Sequence, residues 1–384
     1  MEPPARTEAQ LMAATLSPAD DSPSPTSIRK VLLLVSKRAD KIAGPLRAVG
    51  VESEVIIAGK WKIVPKVLAR EDAIRAAGVD LIISDCCGTH ASMAMMLRGL
   101  LGVPAVFRMR GNMWSEYEDR RSDRDGLLKR KFVDALVLYT NHNLPQMDAI
   151  MPVARHMADA VRAELPGLST PVLPIPISVT TFPQAPEDRD APRARWSPDG
   201  RRIVASMTNF RYWQKAAPML DAAPALEEVL RDHGLVWAIA GRGAFAERFF
   251  EELAKRCSPD LWVRAGFVSD PWSLLYAASA FLHISEMDGM PNVVIEAQAC
   301  GCPVIANDYP AMAELIRHGE TGLLVRDLTE AAGQLDRLLS DASLHERMAA
   351  EGLRYVREQH TDEAVGWMLL QALGEVKERF DRRG

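Results

Sequence analysis

Short apolar runs separated by amphipathic stretches set the rhythm of this chain. The first is Val31-Leu32-Leu33-Leu34-Val35, and runs at 55–57, 81–83, 105–107, 135–138 and 149–151 follow. Uninterrupted runs of this length suit parallel strands buried on both faces. Segments of helical length lie between several of them, at 91–101 and 157–164. After a polar, Pro-rich stretch the alternation restarts. Strands are predicted at 203–205, 236–240, 262–263, 280–284 and 303–306, and helices at 215–233, 246–255, 272–278, 293–299, 311–318, 329–339 and 342–360. Strands alternating with helices predict right-handed βαβ units in parallel sheets. The expected fold class is α/β, with two doubly wound, Rossmann-like domains facing a central cleft. Ligands in such sheets bind at the carboxyl ends of the strands.

Two Pro-rich stretches divide the 384 residues. Residues 1–27 carry Pro3, Pro4, Pro18, Pro23 and Pro25 among Ala, Ser, Thr and Asp. They lack the apolar centre of a signal peptide, and their composition predicts a disordered tail. Residues 184–200 (QAPEDRDAPRARWSPDG) predict a linker between an N-terminal domain over 28–183 and a C-terminal domain over 201–360. Hydrophobic residues at 48% and charged residues at 25% are ordinary for a chain with a sizeable core. A net charge of -5 argues against a dedicated nucleic-acid partner, while leaving room for a local basic patch. The five cysteines, Cys86, Cys87, Cys257, Cys300 and Cys302, show no CxxC or His-spaced ligand pattern. That argues against a disulfide framework or zinc site and for a reducing, cytoplasmic setting. No apolar run reaches the length of a membrane span.

The sharpest chemical signal runs from Ser285 to Val304 (SEMDGMPNVVIEAQACGCPV). A strand ends near 284, a tight loop with Gly289 and Pro291 follows, and a helix begins near Asn292. The first N–H groups of a helix are unpaired and its dipole is positive there, so such a loop can cradle a phosphate. Gly289 permits close backbone approach. Glu296 falls about one turn inside the helix, within reach of a hydroxylated group such as a ribose. The alternative is an ordinary βαβ corner, with Asp288 helping the helix start and Glu296 solvated.

This stretch resembles the signature of the family-four retaining glycosyltransferases of GT-B fold (glycosyl transferases group 1). That signature runs acid, Gly, apolar residue, Pro, then Glu-Ala and a Gly-x-Pro-Val ending. The resemblance implies that Asp288 contacts the donor sugar. The loop of Gly289, Met290, Pro291, Asn292 and Val293 would hold the diphosphate, and Glu296 the ribose hydroxyls. The first acid is usually Glu, so Asp288 is one methylene short, and Glu286 two residues upstream is a second candidate. The segment 204–216 (VASMTNFRYWQKA) is similar to the family's phosphate clamp and nominates Arg211 and Lys215. Two cations there can stabilise a leaving diphosphate. Segments 237–243 (WAIAGRG) and 264–268 (RAGFV) resemble the next strands, with Phe267 and Val268 where the base usually rests.

The first domain follows the family less closely. Segments 148–163 and 174–182 resemble its last strand–helix unit and the turn before the linker. The family's paired glycines after the first strand are replaced by Ser36-Lys37-Arg38-Ala39-Asp40. A His that usually touches the donor sugar is replaced by Arg110, within Arg108-Met109-Arg110-Gly111-Asn112. Arginine can bind hydroxyls or phosphate but is no base near neutral pH. His90, in a Gly-Thr-His turn, is a further candidate for the sugar contact. The segment 59–70 (GKWKIVPKVLAR) interleaves basic and apolar residues, as an amphipathic surface segment or a contact with an anionic membrane would. Pro65 interrupts its helical pattern. As in the family, 361–384 is expected to cross back to the first domain.

The resemblance implies metal-independent transfer of a sugar from a UDP- or GDP-linked donor to a glycan or lipid-linked acceptor. No cofactor is expected beyond the nucleotide sugar as co-substrate. The triplet Asp188-Arg189-Asp190 matches a metal-binding Asp-x-Asp only formally, inside the predicted linker. The expected place is the cytoplasm, peripheral at the inner face of the cell membrane. Two other readings stay open: a GT-B sugar-nucleotide epimerase or hydrolase, and a catalytically weak GT-B binding or regulatory subunit.

Overall fold

The computed structural model describes residues 28–122, 127–179, 182, 186, 193–197 and 199–383. The expected tail over 1–27 and most of the expected linker, including Asp188 and Asp190, lie outside the described residues.

The first sheet contains β1 (Lys30–Val35), β2 (Glu52–Ile57), β3 (Leu81–Ser84), β4 (Ala105–Met109) and β5 (Ala149–Pro152). All its pairs are parallel, in the order β2-β1-β3-β4-β5. The second contains β6 (Arg202–Met207), β7 (Leu235–Ala240), β8 (Trp262–Gly266), β9 (Ala278–His283), β10 (Val304–Asn307) and β11 (Leu323–Val325). It too is parallel throughout, in the order β11-β10-β9-β6-β7-β8. The central strands are buried on both faces: Val31 to Val35 and Leu235 to Ala240 are all buried. The chain therefore reverses its direction of travel across the second sheet between β6 and β9. Adjacent loops splay to opposite faces at such a point and open a crevice at the carboxyl edge.

The last helix, Asp362–Asp381, leaves the second domain and packs on the first-domain helix Asp40–Ala48. Val365, Leu369, Leu373 and Val376 share a core with Val31 and Leu33 of β1. The two helices cross closely at Gly366, where a Cβ would collide with the Pro45 carbonyl oxygen. Just before this helix the two chain crossings between the domains touch. Val179 donates its N–H to the His360 carbonyl at 2.6 Å, and His360 Nδ1 lies 2.8 Å from the Ile177 carbonyl.

Three expected elements are corrected. The run 135–138 is part of the helix Leu127–Asn143, not a strand. Val133 is buried while Leu138 is 71% exposed, so the stretch is a helix with one inward stripe. Four apolar residues in a row do not distinguish the two states. The helix expected at 311–318 is only Pro310–Ala313. Ala311, Met312, Leu315 and Ile316 are buried, but the chain turns at Gly319 (φ 80°) and feeds β11, an edge strand too short to be read in sequence. Finally, Pro65 does not break its segment. A 3-10 turn, Lys60–Lys62, leads into the helix Ile63–Leu68, and Pro65 falls in that helix's first turn, where its missing N–H costs nothing.

Candidate active site in the interdomain cleft

The loop after β9 is built by tertiary bonds. Asn307, the last residue of β10, accepts the Ser285 N–H on Oδ1 at 3.0 Å and returns a bond from Nδ2 to the Ser285 carbonyl at 3.1 Å. Glu286 donates its N–H to the Gln214 carbonyl in the loop after β6 at 3.3 Å. The two loops of the β6/β9 crevice are thereby joined. Pro291 caps the helix Asn292–Ala299, and no side chain accepts from its first N–H groups. Those donors and the helix dipole are available to an anion.

Asp288 lies at the centre of this crevice. Its Oδ1 accepts from Lys215 Nζ at 2.6 Å, and its Oδ2 lies 3.1 Å from His283 Nε2. All three side chains are at most 19% exposed. Burial alone would raise the Asp288 pKa. The hydrogen bond and electrostatic attraction of His283, with those of Lys215, outweigh it and hold the carboxyl well below the usual range. The acid is ionised at neutral pH and fixes Lys215 on the wall of the cavity that the helix start also lines.

Gly241 and Gly243, in the turn after β7, shape the loop that carries Arg211. A Cβ on Gly241 (φ 143°) would collide with the Thr208 carbonyl oxygen, and one on Gly243 with the Phe210 carbonyl carbon. This close approach lets Phe210 N–H donate to the Arg242 carbonyl at 3.2 Å. Arg242 in turn stacks over the Phe267 ring at 4.1 Å, and Phe267 is 59% exposed at the cavity wall. An exposed aromatic face backed by a guanidinium is a platform for a flat heterocycle.

The first domain forms the opposite wall. Arg110 Nη2 lies 2.6 Å from the carboxylate of Asp85, whose other oxygen accepts the Ser36 N–H at 2.9 Å. Lys41 donates to the Ser178 carbonyl at 2.7 Å. Burial pushes the Lys41 ammonium down, against the charge of Glu296 across the cleft. Glu296 is the counterpart: burial raises its pKa, opposed by Lys41 and Arg38. Gly289 presses directly on this wall. A Cβ there would meet Met157 Sδ at 2.8 Å and the Arg110 carbonyl oxygen at 3.0 Å. Its small size therefore serves domain contact.

A single cavity of about 1500 Å³ gathers Asp288, Arg211, Lys215, Glu296, the loop 289–293, Phe267, Val268, Arg110 and Glu286. His90 is the exception. It is 1% exposed, its Nε2 lies 2.7 Å from the Ala58 carbonyl, and it does not line the cavity. The expectation of a sugar contact from His90 is therefore corrected: the helix Thr89–Leu101 turns the ring into the core. Cys86 and Cys87 are half-buried, and Cys86 lines the cavity. Burial pushes its thiol up to about 11, so it stays protonated. His283, Tyr309 and Lys41 line the cavity and were not anticipated. The signal for His283 was its place near the end of a predicted strand, at the edge where ligands bind. Among the described residues no group of three or more His, Cys, Asp or Glu is placed to hold a metal ion.

Residues 188–354 match the family glycosyl transferases group 1. The chain is 24% identical over 287 residues to a putative glycosyltransferase of a virus (isolate Australia/Victoria), covering 75% of this chain and 82% of that one. It is 32% identical over 194 residues to D-inositol 3-phosphate glycosyltransferase of Rhodococcus erythropolis, covering 47% and 44%. It thus spans less than half the length of that relative. The fold is GT-B. It resembles the sucrose-phosphate synthase of Thermosynechococcus elongatus (TM-score 0.72, 16% identity, 91% and 100% covered) and Anabaena HepE in complex with UDP-glucose (0.68, 14%, 90% and 99%).

Proposed function

We propose that this chain, which belongs through residues 188–354 to the glycosyl transferases group 1, is a retaining glycosyltransferase. It takes a sugar from a UDP- or GDP-linked donor and passes it to a glycan or lipid-linked acceptor. The reading rests above all on the Lys215–Asp288 pair at 2.6 Å, beside the uncapped helix start at Asn292 and within the same cavity as Glu296. Arg211, Lys215 and the loop amides near Gly289 meet the charge that develops on the departing diphosphate. The Glu296 carboxylate faces the cavity, with Lys41 and Arg38 as the nearby charges, and accepts from the ribose hydroxyls. Phe267, backed by Arg242, carries the base. The acceptor enters along the wall of Arg110 and Lys41. The departing phosphate oxygen takes the acceptor proton, so no carboxylate pair at glycosidase spacing is needed. A thermal-shift screen against UDP-, GDP- and ADP-sugars, followed by donor turnover with and without acceptor, tests this. No shift with any nucleotide would defeat it, and turnover unaffected by any acceptor would favour hydrolysis or epimerisation.

The acceptor reading includes a peripheral contact with the inner face of the cell membrane. No helix among the described residues is long and apolar enough to cross a membrane. Residues 59–70 carry Trp61, 76% exposed, among exposed Lys62, Lys66 and Arg70 and no acid. This segment packs on the helix Thr89–Leu101, where Met96 and Leu100 are also exposed. Phe132, Leu138 and Tyr139 extend the apolar surface along the helix Leu127–Asn143, with exposed Arg130 and Lys131 beside them. Apolar residues with cations at their rim suit the headgroup region of an anionic bilayer.

A further inference from the structure

We infer that His283 reads a hydroxyl of the transferred sugar through its Nδ1, with Asp288 as the group that orients it. This assigns a sugar-contacting residue and rests on the glycosyl-transfer reading above. All eight histidines of the chain are described, and His283 alone lines the cleft cavity. The others that carry a partner are committed elsewhere. His90 bonds the Ala58 carbonyl, His156 bonds Glu314 and His233 bonds Asp336. His318 accepts the Leu324 N–H, His345 bonds the Ser279 carbonyl and His360 bonds the Ile177 carbonyl.

The ring of His283 is held in a single attitude. It ends β9, stacks on Phe281 at 6.0 Å with an interplanar angle of 17°, and meets Asp288 Oδ2 at 3.1 Å. Asp288 is ionised, and an ionised carboxylate only accepts. The Nε2 of His283 must therefore donate, and in the neutral form of the ring, the form this inference takes, that proton sits on Nε2 and Nδ1 accepts. Nδ1 has no protein partner among the described residues, although the ring is part of the cavity wall. An acceptor needs a donor from the ligand. The ionised diphosphate offers none, whereas a sugar hydroxyl does.

Position agrees with chemistry. One carboxylate bridges Lys215 on Oδ1 and His283 on Oδ2, so the imidazole lies next to the cation that faces the diphosphate. The sugar is attached at that end of the donor. The short acid also finds a physical account. Both oxygens of Asp288 are occupied by residues of this chain, so its direct reach to a hydroxyl passes to the imidazole that it holds. The first-domain candidate cannot take that part, because the Arg110 guanidinium only donates and is engaged with Asp85.

The test separates the sugar from the nucleotide. Dissociation constants for UDP, UDP-glucose, GDP and GDP-mannose are measured by titration calorimetry on the full chain, wild type against His283→Phe and His283→Gln. His283→Phe is expected to bind the free nucleoside diphosphate within about twofold of wild type and the matching nucleotide sugar about tenfold more weakly, the range of one lost hydroxyl hydrogen bond. His283→Gln, whose amide oxygen still accepts, is expected to recover part of that loss. Equal weakening of nucleotide and nucleotide sugar would make His283 a mere prop for Lys215 and overturn the inference. Unchanged affinity for both would overturn it too. A wild-type protein that binds none of the four ligands would instead defeat the glycosyl-transfer reading itself.

Discussion

Glu314 of the second domain caps a helix of the first at His156. Its carboxylate accepts the His156 N–H at 2.8 Å, lies 2.7 Å from the ring Nδ1, and accepts the Arg155 N–H at 2.7 Å. Two of the unpaired donors at the start of the helix Arg155–Glu164 are thus satisfied only while the domains are together. Burial would raise the Glu314 pKa, but the His156 bonds outweigh it and hold the group ionised. Gly289 closes the same contact, since a Cβ there would press on the Arg110 carbonyl at 3.0 Å. Glu314→Ala should reduce kcat/KM by about tenfold, through a closed state that forms less often, while UDP or GDP affinity stays near wild type, and Gly289→Ala should lower kcat/KM as well. Unchanged turnover in both variants would show that this contact is not needed for catalysis.

Lys215→Ala and Glu296→Ala should abolish most activity while the fold survives. On the proposed reading Lys215 faces the site of the leaving charge, and loss of one such donor costs on the order of 10²–10³-fold in kcat. On the same reading Glu296 holds the ribose, so its loss should appear mainly as weaker donor binding. Full activity of both variants in a competent assay would remove the site assignment.

Asp288→Asn and Glu286→Gln distinguish the two candidates for the first acid. Asp288 is bonded to Lys215 and His283, whereas Glu286 is exposed and its backbone N–H holds Gln214. The neutral amide at 288 frees Lys215 and can present its NH2 to His283, which reverses the ring's donor and acceptor ends. The larger fall in kcat is expected at Asp288, by about 10²-fold or more, with Glu286→Gln within a few-fold of wild type. The reverse ranking would transfer the role to Glu286.

Much of this site was legible because its residues are close in sequence. The loop 288–296 is a strand end, a tight turn and a helix start, all set by local geometry. The parallel strands showed as apolar runs because both of their faces are buried. What stayed hidden depends on how the chain folds back on itself. His283 gained its partner only when the loop folded back along β9. His90 stood as a candidate for the sugar contact, yet its ring turns to the Ala58 carbonyl, some thirty residues away. The same limit made the run 135–138 look like a strand, since the partly solvated face of the helix Leu127–Asn143 is apolar as well.

Acid should weaken the protein partly through His360. Burial lowers its pKa below the ordinary 6.5, only partly offset by the bond to the Ile177 carbonyl. Below pH 6.5 the unfolded chain binds a proton that the folded chain refuses, so stability rises with pH in that window. The His360 contribution is complete above 6.5 and is lost as the pH falls beneath it. Between about pH 7.5 and 5.0 the wild-type Tm should therefore fall more steeply than that of His360→Gln. Parallel curves would show that His360 does not titrate on unfolding.

Binding to anionic lipid should depend on the outer face of three first-domain segments. The segment 59–70 and the helices Thr89–Leu101 and Leu127–Asn143 fill the connections β2 to β3, β3 to β4 and β4 to β5. In a right-handed, parallel sheet of order β2-β1-β3-β4-β5, those connections lie on one face. Trp61, Leu68, Met96, Leu100, Phe132, Leu138 and Tyr139 are all exposed on these segments, whereas Ile57, Phe267 and Trp367 are the exposed large hydrophobics elsewhere among the described residues. The chain as a whole is acidic, at -5, so attraction to an anionic surface must come from the local cations Lys62, Lys66, Arg70, Arg130 and Lys131. Co-sedimentation with vesicles of phosphatidylcholine mixed with anionic phosphatidylglycerol should exceed that with pure phosphatidylcholine and fall with added salt. The Trp61→Ala/Leu138→Ala double variant should lose most of the bound fraction and keep its nucleotide affinity. Lys62→Glu/Lys66→Glu should remove the lipid-charge dependence. Equal recovery from both vesicle types would refute an anionic-lipid surface, and a concentration-dependent dimer lost in the double variant would assign the face to a second copy of the chain.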